Sequence, residues 1–148
     1  VLYFTGASRS SAAIIDQQRK NTSSGNQKAI DAMHRIKQSA IDMKLALLKG
    51  DMQAFAKILG QGWEDKKKMA EAISNPMIQE VFDVAIPAGA LAGKVSGAGG
   101  GGFIMLMVEP TRKKEVINAL KELDGFVMPF QFTEGGAHGW KIYSTDKI

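Results

Sequence analysis

Two hydrophobic rhythms divide the chain. Apolar residues run together in short stretches at Val1-Leu2-Tyr3-Phe4, at Phe103-Ile104-Met105-Leu106-Met107-Val108 and from Phe126 to Phe132. In the middle they recur every three or four positions instead. Short apolar runs bounded by turn residues read as strands, and the longer spacing reads as amphipathic helix. Val1–Phe4 is therefore a predicted strand, stopped by Thr5-Gly6, with Ser8, Ser10 and Ser11 as cap candidates for a helix over Ala12 to about Lys20. A polar break, Asn21 to Asn26, precedes a long helix from Gln27 to Lys49. Its inward stripe is Ile30, Met33, Ile36, Ala40, Met43 and Leu47, widened by Ile41, Leu45 and Leu48.

Gly50 stops that helix and Asp51 caps the next, which the pattern extends from Met52 to about Ile73. Its expected inward residues are Met52, Phe55, Ile58, Leu59, Trp63, Ala70 and Ile73. Pro76 suits a first helical position, and a helix over Met77 to Ala85 follows, ended by Pro87. After the strand Phe103–Val108 come a helix from Thr111 to about Leu123 and a strand from Phe126 to Phe132. A turn at Thr133-Glu134-Gly135-Gly136 leads into a last strand, His138–Tyr143. The order, strand, four helices, strand pair, helix, strand pair, predicts an α+β fold, an antiparallel sheet with helices packed on one face.

Composition narrows the function classes only a little. The 148 residues suit one domain with a single core, and 45% hydrophobic with 23% charged residues is ordinary for a globular protein. No run of apolar residues is long enough for a membrane helix, so no membrane partner is expected. Without cysteine there is neither a disulfide framework nor a thiolate metal site, and with no signal peptide a cytoplasmic location is expected. The start, without Met and already in a strand, is read as that of a fragment or excised domain. The net charge of +4 owes much to Lys66-Lys67-Lys68 and Arg112-Lys113-Lys114. No aromatics interleave with these bases, so they read as solvated helix faces and not as a nucleic-acid surface. A modest basic bias suits an anionic substrate.

The densest chemical signal is Gly93-Lys94-Val95-Ser96-Gly97-Ala98-Gly99-Gly100-Gly101-Gly102, with six glycines in ten residues. Glycine costs roughly 0.5–1 kcal/mol per position in a regular element, so such a run serves positive φ or close backbone approach. It opens directly onto an apolar strand, which marks a shaped loop and not a linker. It is not a P-loop, because Val95 follows Gly93-Lys94 and Ala88 stands where the first glycine belongs. It is not a dinucleotide fingerprint, because its glycines enter a strand and not a helix. Nor is it a nucleophile elbow, since Lys94 precedes Ser96 by two positions. No catalytic triad, carboxylate pair or metal cluster stands out. Residue chemistry alone leaves two options: the loop binds something anionic through its N–H groups, aided by Lys94, or it packs closely against another segment.

Gly89-Ala90 and the stretch Gly93 to Phe103 together resemble the third motif of the GHMP kinases, the superfamily of galactokinase, homoserine kinase, mevalonate kinase and phosphomevalonate kinase. Trp63-Glu64-Asp65-Lys66-Lys67, followed by Ile73-Ser74 and Ile78, resembles the helical region of its D-glycero-D-manno-heptose 7-phosphate kinase branch. Tyr3-Phe4-Thr5-Gly6 with Ser8-Arg9 resembles that branch's strand-to-helix turn. The resemblance covers nearly all of residues 1–148 as a carboxy-terminal domain. It implies a ferredoxin-like variant with a four-stranded antiparallel sheet, serving transfer of the ATP γ-phosphate, with Mg²⁺, to a hydroxyl of a sugar phosphate. ATP and Mg²⁺ would be held mainly by an amino-terminal nucleotide-binding domain that these residues lack, so the fragment is expected to be inactive alone and to carry no catalytic residue. What it would contribute is one wall: Thr5, Ser8, Arg9 and Lys94 toward the substrate, and the loop Ser96, Gly97, Ala98, Gly99, Gly100, Gly101 and Gly102 near the phosphates. Arg9 favours a phosphorylated sugar, because a guanidinium fork suits phosphate. Other readings stay open: a non-catalytic α+β regulatory or interaction module, or a GHMP kinase for fucose or a mevalonate-type alcohol. A homodimer is compatible with any of these.

Overall fold

A computed structural model describes residues 1–6 and 10–140. Its strands are β1 (Leu2–Phe4), β2 (Ala90–Val95), β3 (Phe103–Val108) and β4 (Phe126–Met128). Its α-helices are α1 (Ser11–Ser23), α2 (Gln27–Leu48), α3 (Met52–Lys67), α4 (Pro76–Ala85) and α5 (Lys113–Leu120). The strands form one sheet in the order β2-β3-β1-β4, with every neighbouring pair antiparallel.

Strand alternation gives the sheet one helix-covered face and one open face. Tyr3 stands opposite Ile104 on one side and Val127 on the other, facing inward. With Val95 and Leu106 they meet Trp63, Ile73, Ile78, Val81, Val116 and Leu120 from the helical layer, forming one core. The open face carries a row of aromatic rings. Phe4 lies with its centroid 5.0 Å from that of Phe103 and 5.3 Å from that of Phe126. Strand β2 keeps its small residues inward by means of a register shift between Ala90 and Ala92. The extra residue lets Ala90, opposite Val108, share the core face with Gly93 and Val95, opposite Leu106 and Ile104.

The helix starts follow from their caps. The side chains of Asn26, Asp51 and Asn75 accept hydrogen bonds from the N–H groups of Ala29, Ala54 and Ile78, at 3.2, 2.9 and 3.0 Å. No helix among the described residues is long and apolar enough to cross a membrane.

Several sequence expectations need correction. Helix α1 runs on to Ser23 through the expected polar break, where the Asn21 amide donates to the Met69 carbonyl at 2.7 Å. Helix α3 ends at Lys67, and Glu71–Ile73 form a separate 3₁₀ turn. Of its expected inward residues, Met52 is exposed. The wide stripe expected on α2 is not its buried face. Ala29, Ala32 and Ala46 are buried, whereas Met33, Ile41, Leu45, Leu47 and Leu48 stand largely in solvent. Small residues let α2 approach its neighbours closely, and the larger ones are left outside. Gly93-Lys94-Val95, read as the start of the glycine loop, belong to β2. Likewise, a 3₁₀ turn at Pro110–Arg112 precedes α5, which stops at Leu120. At the other end of the sheet, β4 stops at Met128, before Pro129, which has no N–H to continue a ladder. Residues 138–140 are not in a strand, and the remainder of the expected last strand lies outside the described residues. The fourth strand of the sheet is thus β2.

Candidate functional site

The hairpin connection from β2 to β3 is the glycine loop, and its backbone is one that side-chain-bearing residues rarely adopt. The φ angles of Gly97, Gly99, Gly100, Gly101 and Gly102 are +73°, +113°, +77°, +146° and +86°. Close approach adds a second constraint at Gly99. A Cβ there would lie 2.7 Å from the Ile73 carbonyl oxygen and 2.9 Å from the Ile73 Cα. The glycine at this position is thus required by the fold itself, through the segment that leads into α4.

Three neighbouring elements fasten the loop. At its β3 end the Thr5 N–H donates to the Gly102 carbonyl at 2.9 Å, and the Gly102 N–H donates to Thr5 Oγ1 at 3.0 Å. In its middle the Gly100 N–H donates to the Ile73 carbonyl at 2.8 Å, and the Asn75 side-chain amide donates to the Gly100 carbonyl at 3.0 Å. At its β2 end the Lys66 ammonium donates to the Gly97 carbonyl. The carbonyls of Gly97, Gly100 and Gly102 are therefore each covered by a donor from the fold. Among the described residues the N–H groups of Gly97, Ala98, Gly99 and Gly101 have no partner, and neither do the carbonyls of Ala98, Gly99 and Gly101. Gly99 and Gly101 are buried, and buried N–H groups are rarely left unpaired.

Charge around the loop has the same sign. Burial, and after it the neighbouring Lys94, lowers the proton affinity of Lys66 below that of an ordinary lysine. Both lysines line a cavity of about 220 Å³ between α2 and α3. One residue before Lys66, the carboxylate of Asp65 is buried. Burial alone would raise its pKa, but hydrogen bonds from Lys68, Arg35 and Gln61 outweigh that and hold it below the usual carboxylate value. Arg35 Nε and Lys68 Nζ each lie 2.8 Å from Asp65 Oδ1, tying α2 to the C-terminal turn of α3 and so fixing where Lys66 emerges. Unspent N–H groups and adjacent ammonium groups fit an anionic group such as a phosphate. Among the described residues no three His, Asp or Glu side chains are grouped as a metal would require.

The structure brings some of the sequence-predicted residues together around this loop. Thr5 and Lys94 flank Ser96 to Gly102, and Ser96 continues the β2–β3 ladder by donating to the Phe103 carbonyl at 2.7 Å. Thr5 is buried, with its hydroxyl oxygen on Gly102. Ser8 and Arg9 lie outside the described residues. Two residues that sequence reasoning passed over belong here: Lys66, hidden in a run of lysines read as a solvated face, and Asn75. For Asn75 a signal existed, since Asn directly before a proline at the first helical position is a cap pattern. Nothing local in the sequence separates Lys66 from Lys67 and Lys68.

A one-sided α+β layer with a fastened, anion-receptive glycine loop at its edge defines a class before it defines a protein. Residues 43–124 match the model for the C-terminal domain of GHMP kinases, and the chain belongs to that family. Over 142 residues it is 43% identical to D-glycero-alpha-D-manno-heptose 7-phosphate kinase of Campylobacter jejuni, a match that takes in 96% of this chain and 41% of that protein. A crystal structure from Campylobacter jejuni assigned to the sugar kinases is 41% identical, with a TM-score of 0.63, over 96% of this chain and 38% of that one. The Lin0012 protein of Listeria innocua shares the fold at 20% identity, with a TM-score of 0.77 over 90% of this chain and 40% of its own. The chain thus spans about two fifths of the length of the relatives it matches.

Proposed function

We propose that residues 1–148 are the carboxy-terminal domain of an ATP-dependent sugar kinase that phosphorylates a hydroxyl of a heptose 7-phosphate or a closely similar sugar phosphate. The observation that carries this reading is the 43% identity, over 96% of the chain, to a protein named for that activity. The glycine loop supports it, because its free N–H groups and the adjacent Lys66 and Lys94 suit the phosphate-rich ligands of such a reaction. ATP, which GHMP kinases use, would supply the γ-phosphoryl group, and Mg²⁺ would supply neutralising charge. In this reading both are bound mainly by an amino-terminal domain of the longer polypeptide.

Phosphoryl transfer depends on positioning and on electrostatic stabilisation more than on covalent chemistry by the protein. The part given to this domain is accordingly modest. Its loop lines one side of the cleft, the N–H groups of Gly97, Ala98, Gly99 and Gly101 face the phosphates, Lys94 adds positive charge, and Ser8 and Arg9 reach the phosphate already on the sugar.

The test is an ATP-coupled assay of the full-length protein against heptose 7-phosphate, other sugar phosphates, fucose and mevalonate. Preferential turnover of heptose 7-phosphate is expected. Preference for fucose or mevalonate would keep the family and reject the substrate. Appreciable turnover by residues 1–148 alone would reject the division of labour between the two domains.

A further inference from the structure

Asn75 makes two hydrogen bonds from opposite ends of one side chain. Its Oδ1 accepts from the Ile78 N–H at 3.0 Å, capping α4, and its Nδ2 donates to the Gly100 carbonyl at 3.0 Å. Two residues back, the Ile73 carbonyl accepts from the Gly100 N–H at 2.8 Å, so both polar groups of Gly100 are held by residues 73–75. Ile73 is fully buried and α4 packs in the core, which makes this segment a rigid support. Gly99 lies against the same support, too close to Ile73 for any side chain.

From this we infer that Asn75 is a positioning residue for the phosphoryl transfer proposed above, on which the inference rests. An anion approaching a bare peptide loop meets carbonyl oxygens as readily as N–H groups. Here the amide of Asn75 covers the Gly100 oxygen at the centre of the loop, and because that oxygen and the Gly101 N–H share one planar trans peptide, the orientation it fixes turns the unspent Gly101 N–H the opposite way. If this donor is lost, the Gly100 peptide is free to turn its oxygen toward the cleft. A misplacement of about 1 Å in such a site costs on the order of 10²-fold in rate. Asn75 itself need not touch ATP or sugar.

Because Asp and Ser cap helices about as well as Asn, the two roles of the side chain can be separated. In the full-length protein, Asn75→Asp and Asn75→Ser keep an acceptor for Ile78; the ionised Asp has no donor, and the shorter Ser hydroxyl does not reach the Gly100 carbonyl. Both variants are expected to melt within about 2 °C of wild type. Both should lose roughly 10- to 100-fold in kcat/KM, with amides 96–102 exchanging hydrogen faster. Asn75→Ala should show the same losses with a lower melting temperature as well. Wild-type kcat/KM in both capping variants would overturn the positioning role. So would a loss in Asn75→Asp with none in Asn75→Ser, since that loss would trace to the introduced charge. Unaltered exchange in the loop would overturn it whatever the enzyme phosphorylates. A wild-type protein that phosphorylates no substrate would reject the functional reading instead, and the exchange rates would still decide whether Asn75 holds the loop.

Discussion

Thr5 and Gly102 exchange two hydrogen bonds, one through backbone and one through side chain. The Thr5 N–H reaches the Gly102 carbonyl, and the Thr5 hydroxyl oxygen takes the Gly102 N–H where a regular antiparallel pair would use the Thr5 carbonyl. The β1–β3 ladder thereby continues one step beyond Phe4 and Phe103 and ends on the glycine loop. A residue expected to reach the substrate is thus also the clasp for one end of the loop.

Thr5→Val keeps the shape of the side chain and removes the acceptor, leaving the Gly102 N–H unmatched. A loss of about 1–2 kcal/mol in urea unfolding is expected, with reduced turnover. Thr5→Ser retains the oxygen and should cost less than Thr5→Val, about 0.8 kcal/mol for the buried methyl group it loses. Equal stability of the Val and wild-type proteins would show that the clasp contributes nothing.

Gly97 and Gly99 look alike in sequence and differ in surroundings. A Cβ on Gly97 meets nothing within 4 Å, so Gly97→Ala carries only the left-handed backbone penalty, about 1–2 kcal/mol. Gly99→Ala adds a collision with the Ile73 backbone and should cost roughly 2–4 kcal/mol, enough to displace the loop. Paired thermal melts decide the matter, and a Gly97 variant as damaged as the Gly99 variant would contradict this geometry.

Asp65 makes stability depend on acid. Its folded-state pKa lies below the ordinary value of 3.8, so its contribution is complete above that value and is lost as pH falls through the depressed one. Asp65→Asn should cost roughly 1.5–3 kcal/mol at pH 7, because Arg35 and Lys68 lose a charged acceptor but are exposed enough to regain water. The gap between variant and wild type should narrow below about pH 4. A gap independent of pH would mean that the carboxylate's charge is not what holds α2 to α3.

Gly125 is where the start of β4 meets the end of β1. A Cβ there would fall 2.1 Å from the Phe4 carbonyl oxygen and 2.4 Å from the Tyr3 hydroxyl, which accepts the Gly125 N–H at 2.8 Å. Tyr3→Phe leaves that N–H unpaired and should cost about 1 kcal/mol. Gly125→Ala should cost more, about 3 kcal/mol, and expose the β4 amides to rapid hydrogen exchange. Reversal of that order would refute the crowded contact.

Much of the fold was legible because it is written in local rules. Asn75-Pro76 and Gly50-Asp51 mark helix limits that caps and φ preferences enforce wherever they occur. The apolar run Phe103–Val108 could be buried only as a central strand. Strand β2 was harder to see, since Ala90-Leu91-Ala92-Gly93 has little intrinsic preference for extended structure and is held there by pairing with β3. Of the last predicted strand, residues 138–140 are not in a strand, Gly139 among them having no side chain to pack, and residues 141–143 lie outside the described residues. On α2, apolar residues occur nearly all round the helix, so periodicity could not tell which of them face the core.

The site divides in the same way. By itself the sequence determined that a glycine-dense stretch enters a buried strand, that it is none of three familiar nucleotide motifs, and that it resembles a GHMP kinase loop. The first two follow from composition and order and the third from resemblance to a known motif, none of which needs a third dimension. Only the tertiary structure decided which glycine answers to which constraint: Gly97 to its backbone conformation alone, Gly99 also to the nearness of Ile73. It also decided that Thr5, Lys66 and Asn75, far apart along the chain, would converge on the carbonyls and N–H groups of one loop. Hydrogen bonds across such separations depend on how the sheet and helices pack, and no short stretch of residues carries that information.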